Sequence, residues 1–196
     1  MKRNAEVFRK SRETDITVRL NLDGIGKAVI ETGIGFFNHM LETLVLHSFI
    51  DAEIKAVGDL EVDDHHTIED VGITFGETLL QALGEKKGIN RFGWALCPMD
   101  EALARAALDL SGRPCFILDC SSSSSRFLES LPGDSIAEFF RGFTVGAKTT
   151  LHLDLIRGEN KHHAVEALFK AFARALKQAV QVCSSDKILP STKGVL

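Results

Sequence analysis

Residues 65–83 read HHTIEDVGITFGETLLQAL, and residues 162–180 read HHAVEALFKAFARALKQAV. Both open on a His-His pair, carry a glutamate three residues after the second histidine, and run on for the length of a helix. Apolar residues recur at helical spacing in each, as Ile68, Val71, Phe75 and Leu79 and as Val165, Phe169, Phe172 and Leu176. The segments before them also match. GFFNHMLETLVLHSFIDAEIKAVGD (35–59) and EFFRGFTVGAKTTLHLDLIRGEN (138–160) each give Phe-Phe on an apolar helix, then a strand ending in glycine and an acid. The chain is therefore read as an internal duplication.

Further upstream the correspondence continues. DITVRLNLDG (15–24) alternates and leads to GKAVIETG (26–33), while ALARAALDLSG (102–112) alternates and leads to PCFILDCS (114–121). Such alternation predicts half-buried strands, and the Asp-Gly and Ser-Gly pairs predict turns. Segment 5–10 is expected to add a strand, and Ser121–Ser125 to form a loop. Each half then reads strand, strand, strand, helix, strand, helix, which predicts an α+β fold of mixed sheets with helices on one face. The halves are expected to span 1–92 and 93–196.

Composition narrows the function. The chain has 196 residues, a formal charge of −4, 44% hydrophobic and 26% charged residues, so a globular protein is expected. The mild negative charge argues against a broad nucleic-acid surface, and any phosphate site must be a local basic cluster. No apolar run is long enough to span a bilayer, and the charged start MKRNAEVFRKSRETD lacks a signal peptide's apolar stretch, so a cytoplasmic location is the default expectation. Cys97, Cys115, Cys120 and Cys183 form no C-x-x-C pair and are read as reduced, mostly buried thiols.

The chemistry centres on the His-His pairs. At about 100° per residue, His65, His66 and Glu69 fall within an arc of about 100°, off the core-facing stripe. His162, His163 and Glu166 repeat the arrangement. One such motif is a common surface helix start, with its glutamate near the positive end of the helix dipole. Two copies in equivalent places of a repeat point instead to a metal site. Imidazole with carboxylate suits Mn, Fe or Zn. Adjacent histidines diverge too far to chelate one ion well, so two ions are expected, each taking one histidine from a pair.

His39 and His47 stand eight residues apart, about 80° around a helix, and could share a cleft as ligand and proton carrier; each alone is equally a satisfied helix histidine. His152 is read as structural. Arg91, Arg113 and Lys193 are candidate phosphate cations, with the hydroxyls of Ser191 and Thr192 beside Lys193. Ligand types alone also allow a dinuclear metal phosphoesterase, or a non-catalytic metal-binding cage.

FFNHMLETLVLHSFID, DDHHTIEDVGITFG, INRFGWALCPMDEALAR, DLSGRP, GENKHHAVEALFKAFARALKQA and ILPSTKGVL together closely resemble the imidazoleglycerol-phosphate dehydratase family, over essentially the whole chain. The resemblance implies a duplicated β-β-β-α-β-α unit like the second domain of ribosomal protein S5. It also implies a homo-oligomer of 24 subunits built from trimers, with two Mn2+ per active site at subunit interfaces. Implied metal ligands are His39, His65, His66, Glu69, His162, His163 and Glu166. Glu138 stands where many members have histidine, and is kept as a ligand. Implied substrate contacts are Glu13, His39, His47, Arg91, Arg113, Ser191, Thr192 and Lys193, with Glu13, His47 and Asp100 as proton-transfer candidates. The implied reaction turns imidazole glycerol phosphate into imidazole acetol phosphate, through a metal-stabilised imidazolate and a diazafulvene-like intermediate.

Overall fold

The computed structural model describes residues 2–120, 135–183 and 188–194; the loop expected at Ser121–Ser125 lies outside them. The first half runs β1 (Asn4–Lys10), β2 (Thr14–Asn21), β3 (Ala28–Glu31), α1 (Gly35–Ser48), β4 (Asp51–Gly58), α2 (His65–Leu83). The second runs β5 (Phe92–Met99), β6 (Ala102–Asp109), β7 (Cys115–Asp119), α3 (Ser135–Ala147), β8 (Thr150–Arg157), α4 (Lys161–Val180). The segment expected from 5 is thus a full edge strand, and the strands expected over 26–33 and 114–121 are shorter than their alternation suggested. Gly26 and Gly33 hold positive φ and end the pairing on either side of β3.

Each half builds the same four-stranded sheet, ordered β1-β2-β4-β3 and β5-β6-β8-β7. In both, the first pairings are antiparallel and the last is parallel. A strand pairs in parallel only through a crossover, and α1 and α3 supply it. Ile16, Val18 and Leu20 of β2, and Ala104, Ala106 and Leu108 of β6, point inward and are buried.

The four helices lie between the inner faces of the sheets and pair across the halves, α1 on α4 and α2 on α3. The α2–α3 contact is close enough to require glycine. A Cβ on Gly76 would stand 2.4 Å from the Phe143 carbonyl oxygen, and one on Gly146 would stand 2.2 Å from that of Ile73. All eight residues of the two predicted apolar stripes are buried in a core shared by both halves.

The cysteines depart from expectation. Cys115 and Cys183 are exposed, and Cys97 and Cys120 are half-buried. Cys115 sits on the outer face of an edge strand and Cys183 just beyond α4, positions the helices do not cover. His152 is also exposed, on the outer face of β8.

Candidate metal centre and phosphate site

Side chains just before each helix hold the backbone of the His-His pairs. Asn160 Oδ1 accepts the backbone N–H of His162 at 2.9 Å and of His163 at 3.3 Å. At α2, Asp63 Oδ1 accepts the N–H of His65 at 2.9 Å. Donors that a helix start leaves unpaired are thus satisfied, and the imidazoles leave from a fixed backbone.

Because α1 lies on α4, His39 of the first half meets His162 and Glu166 of the second. Among the described residues these three form a group whose ligand atoms all lie within 4.8 Å of one another. His162 Nε2 is 3.1 Å and His39 Nε2 3.5 Å from the same oxygen, Glu166 Oε2. Burial alone would raise the Glu166 pKa, but the hydrogen bond from Lys170 and the charges of Lys170 and His39 bring it below the usual carboxylate value. The triad therefore presents a carboxylate and two imidazoles, a donor set that fits a borderline divalent cation.

The other half-site is looser. His65 Nε2 stands 4.0 Å from Glu69 Oε2. Glu138, one turn before Gly142 on α3, is turned to Arg141 at 2.9 Å; Gly142 itself abuts the Glu69 carbonyl. These three sit at the same end of the α2–α3 pair without the convergence of the first triad.

His66 and His163 lie outside the triad, and a carboxylate fixes each. His66 Nδ1 is 3.0 Å from Asp59 Oδ2, and His163 Nδ1 is 2.6 Å from Glu101 Oε2. The hydrogen bonds, chiefly, raise the pKa of both imidazoles, and the Glu101 carboxyl falls to about 2. Carboxylate on one ring nitrogen leaves the other free to ligate, the arrangement that orients metal-binding histidines. Asp59 and Glu101 were not picked out from sequence. Asp59 was visible only as the acid ending a strand, and the repeat pointed to Glu159 as its counterpart rather than Glu101. Asp100 lies 3.7 Å from His163 Nε2, in the β5–β6 turn with φ of 48°. Glu13, in the exposed β1–β2 turn, contributes to the field that raises His66.

Further along the α1–α4 pair, His47 faces Lys170 and Arg174. Burial, then these two cations, depress its pKa. Lys170 Nζ binds Glu166 Oε1 at 2.7 Å, so a cation adjoins the triad. The sequence offered a signal for it, since Lys170 stands one turn beyond Glu166 on the same face.

The candidate phosphate residues gather elsewhere. Arg91, at φ of 68°, is clamped by Asp109 at 2.7 and 3.0 Å, and its Nη1 donates to the Pro190 carbonyl at 2.7 Å. Gly88 N–H donates to the Ile188 carbonyl. The loop after α2 therefore straps down the segment bearing Ser191, Thr192 and Lys193, where Ser191 Oγ accepts the N–H of Lys193 at 3.2 Å. Arg113 donates to the Ser111 carbonyl, just past Leu110, whose own N–H bonds the Arg91 carbonyl. Among the described residues, no hydrogen bond or ion pair joins Arg91 or Arg113 to the histidines of the same chain.

A family profile for imidazoleglycerol-phosphate dehydratase matches residues 32–176. The chain belongs to the imidazoleglycerol-phosphate dehydratase family. The dehydratase of Polaromonas sp. is 51% identical over 195 residues, 99% of this chain and 94% of that one. That of Acetivibrio thermocellus is 49% identical over the full length of both chains. Crystal structures of the Pyrococcus furiosus and Staphylococcus aureus dehydratases superpose with TM-scores of 0.82 and 0.79, at 37% and 39% identity. They cover 97% and 91% of this chain, and 100% and 99% of their own. The activity is that of a carbon–oxygen lyase of histidine biosynthesis, in place of the phosphoesterase and the inert cage that the ligand types alone allowed. Among the described residues no helix is long and apolar enough to cross a membrane.

Proposed function

We propose that the His39–His162–Glu166 triad is one half of a two-manganese centre that dehydrates imidazole glycerol phosphate to imidazole acetol phosphate. The converging triad is the observation that carries this reading. His65, Glu69 and Glu138 would hold the second ion. If bound, the ions would supply positive charge at the azole nitrogens, favouring the deprotonated ring whose electrons expel the hydroxyl and which regains electron density as the carbon proton leaves.

His66 and His163, each oriented by its carboxylate, Asp59 or Glu101, complete the centres of neighbouring copies. The separation of Arg91 and Arg113 from the triad supports the same arrangement, in which one subunit grips the ring and another the phosphate. A homo-oligomer of 24 subunits built from trimers, working in the cytoplasm, follows from family membership as part of the proposal.

The chain's own residues then divide the work. Arg91, Arg113, Ser191, Thr192 and Lys193 hold the phosphate, and Lys170 adds a cation between triad and phosphate. Fixing both ends of the substrate leaves the glycerol carbons beside the proton carriers. His47, uncharged near neutral pH because its pKa is depressed, accepts a proton. Glu13 and Asp100, beside His66 and His163, are the remaining carriers.

The test loads purified protein with manganese, measures bound metal, and follows ketone formation from imidazole glycerol phosphate. His39→Ala and His66→Ala are expected to lose metal and turnover together, with phosphate retained on the product of the wild type. Full metal content and normal turnover in His39→Ala would remove the triad from the mechanism.

A further inference from the structure

Beyond the triad, α4 carries Lys170, Arg174 and Lys177, spaced by four and three residues. At about 100° per residue they stay on one side of the helix. They line a groove of about 730 Å³ against β5, whose walls also include His47, Trp94, Leu96 and Gln178. No carboxylate is among the lining residues. Lys170 is balanced by Glu166, but Arg174 and Lys177 form no ion pair among the described residues. Lys177 Nζ sits 3.5 Å above the Phe49 ring, which places the ammonium without cancelling its charge. The unbalanced field reaches His47, whose pKa Arg174 helps to depress.

Gln178 adds directional donors. Its Oε1 accepts the backbone N–H of Trp94 at 2.7 Å, which leaves the amide N–H groups to donate. Trp94, 67% exposed, lines the groove at the edge of β5, next to Gly93, which faces α4. Along the helix, Arg174 lies about 12 Å and Lys177 about 16 Å beyond Glu166. A substrate whose azole rests at the triad carries its phosphate only three carbons away, short of Lys177.

We infer that Arg174, Lys177 and Gln178 form a second anion subsite, distinct from the triad, for a phosphomonoester. Arginine and lysine supply charge, and the amide supplies a hydrogen bond. The subsite does not depend on the manganese reading. Two ligands share this chemistry: the phosphorylated azole, captured before it moves inward, and a purine nucleotide.

Trp94 is the single tryptophan of the chain, so its fluorescence reports on the groove. The manganese-loaded, assembled protein is titrated with inorganic phosphate, with ionic strength held constant by chloride. The expected result is a saturable change, weakened about tenfold in Arg174→Gln and in Lys177→Gln and preserved in Arg174→Lys. Circular dichroism verifies that the variants are folded. A titration that fails to saturate, or one that both glutamine variants share with the wild type, overturns the subsite. Competition with imidazole glycerol phosphate and with a purine nucleoside monophosphate then separates the sources. A lower kcat/KM at unchanged kcat in Arg174→Gln assigns capture of the substrate, and tighter nucleotide binding with kcat/KM unchanged assigns the nucleotide.

Discussion

Asp59 does more for His66 than neutralise it. Its Oδ2 takes up Nδ1 of the imidazole, while its Oδ1 is buried without a hydrogen-bond partner among the described residues. Replacing the carboxylate by an amide keeps the shape and removes the charge that sets tautomer and orientation. Asp59→Asn is expected to weaken manganese binding by roughly 10–100-fold while leaving the fold intact; metal titration measures it, and unchanged affinity would make Asp59 merely structural. His47 answers differently, because burial and then Lys170 and Arg174 disfavour its charged form. In the unfolded chain it protonates near 6.5, and in the folded chain only at lower pH. Acid therefore weakens the fold through this group as pH falls below 6.5. An NMR titration is expected to place its midpoint below 6.5, and Arg174→Gln to move it upward. At this scale the sequence showed ligand types and spacing, since both follow from helical geometry. It did not show Glu101 as the partner of His163, because that pairing depends on how the β5–β6 turn meets the start of α4.

Among elements, the α2–α3 pair shows how packing overrides local preference. Alanine is a better helix former than glycine by about 1 kcal/mol. Gly76→Ala is nevertheless expected to lower the melting temperature, because its Cβ would stand 2.4 Å from the Phe143 carbonyl oxygen and 2.6 Å from the Ala147 nitrogen. An unchanged or raised melting temperature would mean that α2 and α3 can separate freely. The strap after α2 makes a different prediction. Asp109 holds Arg91, and Arg91 holds the Pro190 carbonyl. Asp109→Asn is expected to raise KM for the phosphorylated substrate several-fold, with kcat less affected, and to speed amide hydrogen exchange over residues 188–194. Faster exchange without a change in KM would separate the strap from substrate binding. Strands and helices were readable from their periods of two and 3.6 residues. The limits of β3 were not, because they follow from the positive φ of Gly26 and Gly33.

For the whole molecule, Phe139 is the clearest joint between the halves. Its ring meets Phe37 and Phe75 from the first half and Phe140 and Phe169 from the second, at centroid distances of 5.6, 6.3, 5.2 and 5.5 Å, and it is fully buried. Phe139→Ala is expected to cost roughly 3–5 kcal/mol and to loosen both halves in one unfolding transition. A denaturant melt in which one half unfolds separately would contradict the shared core. The duplication, the helix faces and the donor set were determined by the sequence itself, because periodicity and residue type are local properties. Tertiary structure alone decided that His39 joins His162 and Glu166, that Asp59 and Glu101 fix the second histidine of each pair, and that Arg91 is spent on Asp109 and the tail. The first association joins opposite halves and arises because α1 packs on α4; the others depend on how turns and the tail meet the helix starts and strands beside them.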